Sequence, residues 1–152
     1  MAESVRVVDY FYVTIPNKPG EGARALAMLR SEGVNLLAFS AFPAGRKAQA
    51  DFVPEDPAAF RRAAKKAGWK ITGPKKVFLV EGDDRIGAVA DMIAVLADAR
   101  VNITALDAVR VHGRYGAIFW VKSRDVQKAT KALSKMKAPT DAMAAALATL
   151  GP

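Results

Sequence analysis

The chain has 152 residues, no cysteine and one histidine, His112, which excludes disulfides, thiolate chemistry, cysteine-held zinc and any metal or catalytic site that needs two histidines. Its formal charge of +8 is local: Arg61, Arg62, Lys65, Lys66, Lys70, Lys75 and Lys76 form one cluster, and Lys122, Arg124, Lys128, Lys131, Lys135 and Lys137 form a second, so the expectation is two solvated basic faces or a docking surface for nucleic acid or an acidic protein. No apolar run nears the roughly 20 residues of a transmembrane helix, and Met-Ala-Glu-Ser-Val-Arg lacks the apolar segment of a signal peptide, so no membrane partner is expected and the expected location is the cytoplasm.

Residues 5–15 are rich in Val, Tyr, Phe and Ile and predict a strand that stops at Pro16. Asn17-Lys18-Pro19-Gly20 is turn chemistry. A helix is expected over 22–32 with Ala25, Leu26 and Leu29 inward, closed by a left-handed residue at Gly33. Strands over 36–42 and 48–53 flank a hairpin loop at 43–47. Asp56 predicts the cap of the next helix, with Pro57 at its first position and Gly68 as its stop. Residues 69–72 read as a short fourth strand. A second series then begins: a strand at 77–80, a turn at 82–85, and a helix over 88–99 with Val89, Met92, Ile93 and Leu96 on one face. A strand at 101–111, a turn at His112-Gly113-Arg114, a strand at 115–122 and a basic helix at 123–137 complete it. Residues 142–150 predict an alanine-rich helix.

The two series are one pattern written twice, at an offset of 67 positions: Phe11 matches Phe78, Gly20 matches Gly87, Leu26 matches Ile93, Leu29 matches Leu96, and Val34-Asn35-Leu36 matches Val101-Asn102-Ile103. In the hairpins, Gly45-Arg46 pairs with Gly113-Arg114 at an offset of 68, which predicts one extra residue, as a bulge or longer loop, before the second hairpin. Gly33 is replaced by Arg100, so the later helix must close without glycine. No strand follows the second basic helix; the second sheet is then either one strand short or completed by the long first segment. The expected fold is α+β: two ferredoxin-like βαββαβ repeats, with antiparallel sheets and helices on one face, over 5–72 and 75–137, followed by a helical tail at 138–152. Units this small are marginal alone, and an open sheet edge invites a second chain, so a homodimer is expected.

Asn17-Lys18-Pro19-Gly20 with Gly33-Val34-Asn35-Leu36, and Asp84-Arg85-Ile86-Gly87 with Val101-Asn102-Ile103, resemble the ACT domain in both halves, over about residues 8 to 136. With no catalytic domain attached, the chain resembles a stand-alone tandem ACT protein. The resemblance implies a non-enzymatic, allosteric regulatory protein that binds a small ligand, usually an amino acid, at interfaces between ACT units, with no cofactor. The chemistry of the residues agrees. Glycine at a helix start lets a ligand approach the backbone, and first-turn N–H groups with the helix dipole suit a carboxylate. The candidate ligand residues are Asn17, Lys18, Pro19, Gly20, Glu21 and Asn35 in the first copy, and Asp84, Arg85, Ile86, Gly87 and Asn102 in the second. Asp84 or Asn17 could accept from an α-amino group, and Asn35 and Asn102 are expected beside the same turns.

Two other functions compete. An RNA-binding module of RRM type would use Tyr115-Gly116-Ala117-Ile118-Phe119-Trp120 and Phe78 as strand aromatics, with the basic helices for phosphates. Its third-strand pattern has Ala117 where an aromatic is required. An enzyme would have to work with one turn histidine and the pair Asp83-Asp84, a thin set for acid–base chemistry.

Overall fold

The computed structural model describes residues 3–136, so the expected helix at 142–150 and Lys137 lie outside the described residues. The elements are β1 (Ser4–Pro16), α1 (Glu21–Ser31), β2 (Leu36–Ala44), β3 (Lys47–Pro54), α2 (Pro57–Lys66), β4 (Thr72–Asp83), α3 (Ala88–Asp98), β5 (Ile103–Val111), β6 (Arg114–Val121) and α4 (Val126–Ser134), the last preceded by a 3-10 turn at Ser123–Asp125. The fold is α+β and ACT-like, of ferredoxin type. The described residues fall into two compact units, 8–75 and 3–7 with 76–136.

In the unit 8–75 the strand order is β2-β3-β1, antiparallel, with Phe11 opposite Phe52 and Phe52 opposite Phe39. Alternation puts Phe11, Val13, Ala50 and Phe52 on one face, where they pack with Ala25 and Leu29 of α1 and Phe60, Ala63 and Ala64 of α2. Aromatic stacking organises this core: Phe11 and Phe60 centroids lie 4.9 Å apart, Phe52 and Phe60 5.4 Å, Phe52 and Trp69 5.6 Å. The predicted strand at 69–72 is not one. Trp69 follows the helix stop and packs against the core, and strand structure starts at Thr72. There a glycine is required: a Cβ on Gly73 would sit 2.8 Å from the Tyr10 carbonyl oxygen.

In the other unit the order is β4-β6-β5, with Phe78 opposite Phe119 and Phe119 opposite Leu106. Phe78 and Phe119 stack at 4.7 Å, and Met92, Leu96, Ala129 and Leu133 cover them from α3 and α4. Val5 and Val7 pack against this same core. The first segment therefore does contribute to the second unit, as one of the two sequence expectations held. The expected basic helix over 123–137 is shorter, beginning as a 3-10 turn and becoming α-helical at Val126. Leu26 and Ile93, expected inward, are 38% and 37% exposed; the 3.6-residue period places them at the flank of each apolar stripe.

The expected extra residue before the second hairpin is absent. Leu36 pairs with Pro54 and Ile103 with Val121, and both strands shift register at the same place, between 36 and 38 and between 103 and 105. The hairpins thus match at 67 throughout, with Gly45 answering His112 and Arg46 answering Gly113. The sequence alignment had slid by one to superpose the two Gly-Arg pairs. The second turn holds positive φ at both His112 (50°) and Gly113 (73°), the geometry that suits a two-residue hairpin.

Helices α1, α2 and α3 close with one device. The amide three residues past the last helical residue reaches back to a carbonyl five residues earlier: Val34 to Leu29, Trp69 to Ala64 and Val101 to Leu96, each at 2.9 Å. The residue before that amide is left-handed, Gly33 at φ 71°, Gly68 at 72° and Arg100 at 59°. Arg100 alone carries a side chain there, at a steric cost of roughly 1–2 kcal/mol, offset in part by the greater unfolded freedom of glycine. Arg100→Gly is therefore expected to raise stability by about 0.5–1 kcal/mol, read as a higher urea midpoint with an unchanged slope.

Candidate ligand-binding site

The starts of α1, α2 and α3 fall into two kinds. At α2 the Asp56 carboxylate accepts from Ala58 and Ala59 at 3.0 and 3.2 Å, satisfying the amides that a helix leaves open in its first turn. At α1 and α3 the capping position is a glycine, Gly20 at φ 93° and Gly87 at φ 82°, and no side chain caps the helix. Glycine reaches this left-handed region readily, which aspartate does not. The cost is a helix start whose second and third amides face outward with the positive end of the dipole.

At α3 this start opens onto a cleft of about 270 Å³ lined by Asp84, Arg85, Gly87, Ala88, Val89, Ala90, Ala108, Val109, Arg110 and Tyr115. Its cations are already compensated. The Arg85 guanidinium donates to Asp91 at 2.6 Å and to Glu3 at 3.4 Å, and Arg110 pairs with Asp84 at 2.5 Å. At the end of the β4–β6 pairing Arg114 pairs with Asp83 at 2.8 Å. Tyr115 is 6% exposed; burial, with the Glu3 carboxylate second, pushes its phenol up to about 12. The cleft therefore offers amide donors, ion pairs in which carboxylates outnumber guanidinium groups, and a neutral phenol.

Of the second-copy candidates, the structure brings Asp84, Arg85 and Gly87 together in this cleft. Ile86 points fully into solvent, and Asn102 is exposed before β5. In the first copy Asn17, Lys18, Pro19 and Gly20 are all exposed, with Lys18 3.7 Å from Glu21. Asn35 is not beside that turn. It follows the C-terminal end of α1, an 11-residue helix and so roughly 16 Å long, where its amide donates to Glu55 at 3.1 Å. It borders a separate hollow of about 330 Å³ with Leu26, Leu29, Arg30, Gly33, Val34 and Leu36. The expectation failed because a strand after a helix begins at the helix's far end. Arg110, Val89 and Tyr115 also line this cleft and are not among the candidates the sequence suggests. Aligning the hairpins at 67 would have set Tyr115 against Ala48 and exposed the difference.

The RNA-stacking surface does not form from these residues. Phe78 and Tyr115 face the helices within the core, 0% and 6% exposed, so neither is presented to a base. Among the described residues no group of three His, Cys, Asp or Glu could hold a metal ion, and no helix is long and apolar enough to cross a membrane. His112 is an exposed turn residue.

No protein-family model matches the chain, and no curated protein matches it. Solved structures do. A protein of Bacteroides thetaiotaomicron is similar with a TM-score of 0.76 and 18% identity, over 88% of this chain and 90% of that one. The regulatory subunit of aspartate kinase from Thermus thermophilus, in its ligand-free form, is similar with a TM-score of 0.65 and 15% identity, over 89% and 97%. The corresponding subunit from Thermus flavus gives 0.57 and 17%, over 89% and 96%. At these identities the likeness establishes the fold, that of ACT-like regulatory domains.

A buried carboxylate lies away from the cleft. Asp51 of β3 is 5% exposed, on the sheet face opposite α1 and α2, and accepts from Gln49 at 2.9 Å. Burial raises its pKa, while Gln49 and Lys75 pull it back down. Tyr10, buried on the same face, is pushed up to about 12 by burial, then by Asp51 and Tyr12. Because the folded pKa is raised, the native state binds more protons, so ionised Asp51 costs stability at neutral pH and the cost vanishes as pH falls through the folded pKa. Asp51→Asn is expected to be more stable than the parent at pH 7, with the advantage shrinking as pH falls towards 4 in paired urea melts.

Proposed function

We propose that this chain is a non-enzymatic regulatory module, working in the cytoplasm as a tandem pair of ACT-like units, whose effector is a small amino acid held at the start of α3. The observation that carries the reading is the uncapped glycine-led helix start opening onto the cleft of Asp84, Arg85, Gly87 and Tyr115. The Val89 and Ala90 amides are placed for the ligand carboxylate, and Asp84 for its ammonium group. The paired arginines argue against a phosphate. With Arg85 and Arg110 already matched by Asp91, Glu3 and Asp84, a dianion would meet an environment with no net positive side-chain charge, whereas a zwitterion adds none. The volume, about 270 Å³, lies just below the range of drug-sized pockets and fits a small ligand.

The likeness to regulatory subunits of aspartate kinase supports the regulatory role, and the ACT resemblance supports an amino acid as effector. The effector then acts by differential binding, shifting either a homodimer or the affinity for a partner. The exposed cations of α2, Arg61, Arg62 and Lys65, are the surface on which an acidic partner would dock.

A thermal scan of the full chain against the twenty amino acids and inorganic phosphate tests this. An effector at 100 times its dissociation constant adds about 2.7 kcal/mol and raises the melting temperature; phosphate is expected to give no shift. Gly87→Val is expected to abolish the effector's shift. Gly20→Val, which imposes the same left-handed strain at the other helix start, is expected to lower the melting temperature equally but to keep the shift. Loss of the shift in Gly20→Val alone would move the site to the first copy, and no shift with any amino acid would end the reading.

A further inference from the structure

Helices α2 and α4 hold the same place in the repeat, yet α2 carries more outward charge. By core position Phe60, Ala63 and Ala64 of α2 answer Ala129, Ala132 and Leu133 of α4. The exposed positions between them are Arg61, Arg62, Lys65 and Lys66 in α2; in α4, Thr130 and Ser134 stand where Arg61 and Lys65 would be. Arg61 with Lys65, and Arg62 with Lys66, are four residues apart, roughly 6 Å along the helix axis, and like charges at that spacing destabilise a helix. Lys66 is relieved by Glu32 at 2.8 Å. The helix dipole favours Lys65 and Lys66 in the last turn but not Arg61 and Arg62. Among the described residues the side chains of Arg61, Arg62 and Lys65 have no hydrogen-bond or ion-pair partner. The acids at the start of α2 are committed elsewhere, Asp56 to the cap and Glu55 to Asn35.

The kind of partner follows from what this face lacks. A protein interface has an apolar centre depleted in charged residues. None of the exposed large apolar side chains lies between residues 55 and 70, so an acidic protein would meet charge here without an apolar centre. Interfaces with nucleic acid are more polar and far more positively charged. A single strand gains from bases stacking on exposed aromatic rings. The aromatic residues of this stretch are not presented: Phe60 is fully buried, and Trp69 packs against Phe52 with centroids 5.6 Å apart. A duplex needs neither feature. Its phosphates are neutralised by lysine and arginine, and the planar guanidinium can engage two phosphate oxygens at once.

We propose that the outward face of α2 binds the phosphate backbone of duplex nucleic acid, without reading its bases, through Arg61, Arg62 and Lys65. The proposal rests on the reading of α2 as a docking surface and gives that surface its partner class. The α3 cleft takes no part in it, so it stands or falls separately from the amino-acid effector.

The test is fluorescence anisotropy of short labelled DNA duplexes titrated with the full chain, without amino acids. Two duplexes of unrelated sequence are expected to bind equally, with dissociation constants on the order of 10 μM at about 50 mM salt, and more weakly as salt rises. The triple variant Arg61→Gln, Arg62→Gln, Lys65→Gln is expected to bind at least about tenfold more weakly, and to flatten the plot of log K against log salt by about 2.7, or 0.9 for each cation. It is expected to melt no lower than the parent, because a pair of like charges on each row of α2 is broken. A second triple, Arg6→Gln, Arg46→Gln, Lys122→Gln, removes the same net charge at exposed positions away from α2 and is expected to keep the salt slope. No duplex binding at low salt, or an equal loss in both triples, would overturn the proposal. So would tighter binding of the single strand of the same length. Tighter binding of polyglutamate, abolished by the α2 triple, would give the face to an acidic protein instead, and a lower melting temperature in that triple would give the cations a structural task.

Discussion

Everything specific about this molecule's site follows from a backbone constraint at the start of two helices. A residue just before α1 and α3 must be left-handed, and glycine meets that demand without strain. Glycine has no side chain to turn back on the first-turn amides, so the same choice that shapes the turn leaves the helix uncapped. At α2 the chain takes the opposite solution, an extended Asp56 at φ −121° whose carboxylate satisfies two amides. The start of α2 is satisfied within the protein, whereas those of α1 and α3 carry no side-chain cap.

The start of α3 lies in a cleft lined by Asp84, Arg85 and Arg110. The arrangement there depends on partners distant in sequence. Arg85 is held by Asp91 in the first turn of α3 and by Glu3 from the chain's beginning, and Arg110 reaches Asp84 from β5, on the far side of β6. These pairs are substantially exposed, so each adds little to stability. Their effect is on the field: they hold two guanidinium groups at the cleft wall and leave no net positive side-chain charge there. Tyr115 sits beneath them on space that Gly82 provides.

Much of the architecture was legible because it is local. The strand formers in residues 5–15, the Asp56-Pro57 helix start and the glycine stops at Gly33 and Gly68 each report a conformation that those residues favour by themselves. The repeat at 67 then showed that two stretches share one solution. Legibility failed where a local cue had two readings. Two Gly-Arg pairs invited an alignment at 68, although the strand pairing keeps 67, because register is set by cross-strand hydrogen bonds and not by the identity of turn residues. The fourth strand was sought at 69–72, but Trp69 buries its ring against Phe52 instead.

The candidate site was half legible for the same reason. Gly20 and Gly87 announce open helix starts through their own backbone freedom, and no other residue need be known. Asn35 and Asn102 looked close to those starts in sequence, yet a helix of 11 residues separates Gly20 from Asn35. Thus the amino-acid sequence by itself determined the repeated α+β plan, the helix caps and the uncapped glycine starts, since these depend on neighbours within a few residues. Only the tertiary structure decided that Tyr115, Arg110 and Glu3 meet at the start of α3, because bringing residues 3, 85, 110 and 115 together depends on strand pairing and burial, which act between segments far apart in the chain.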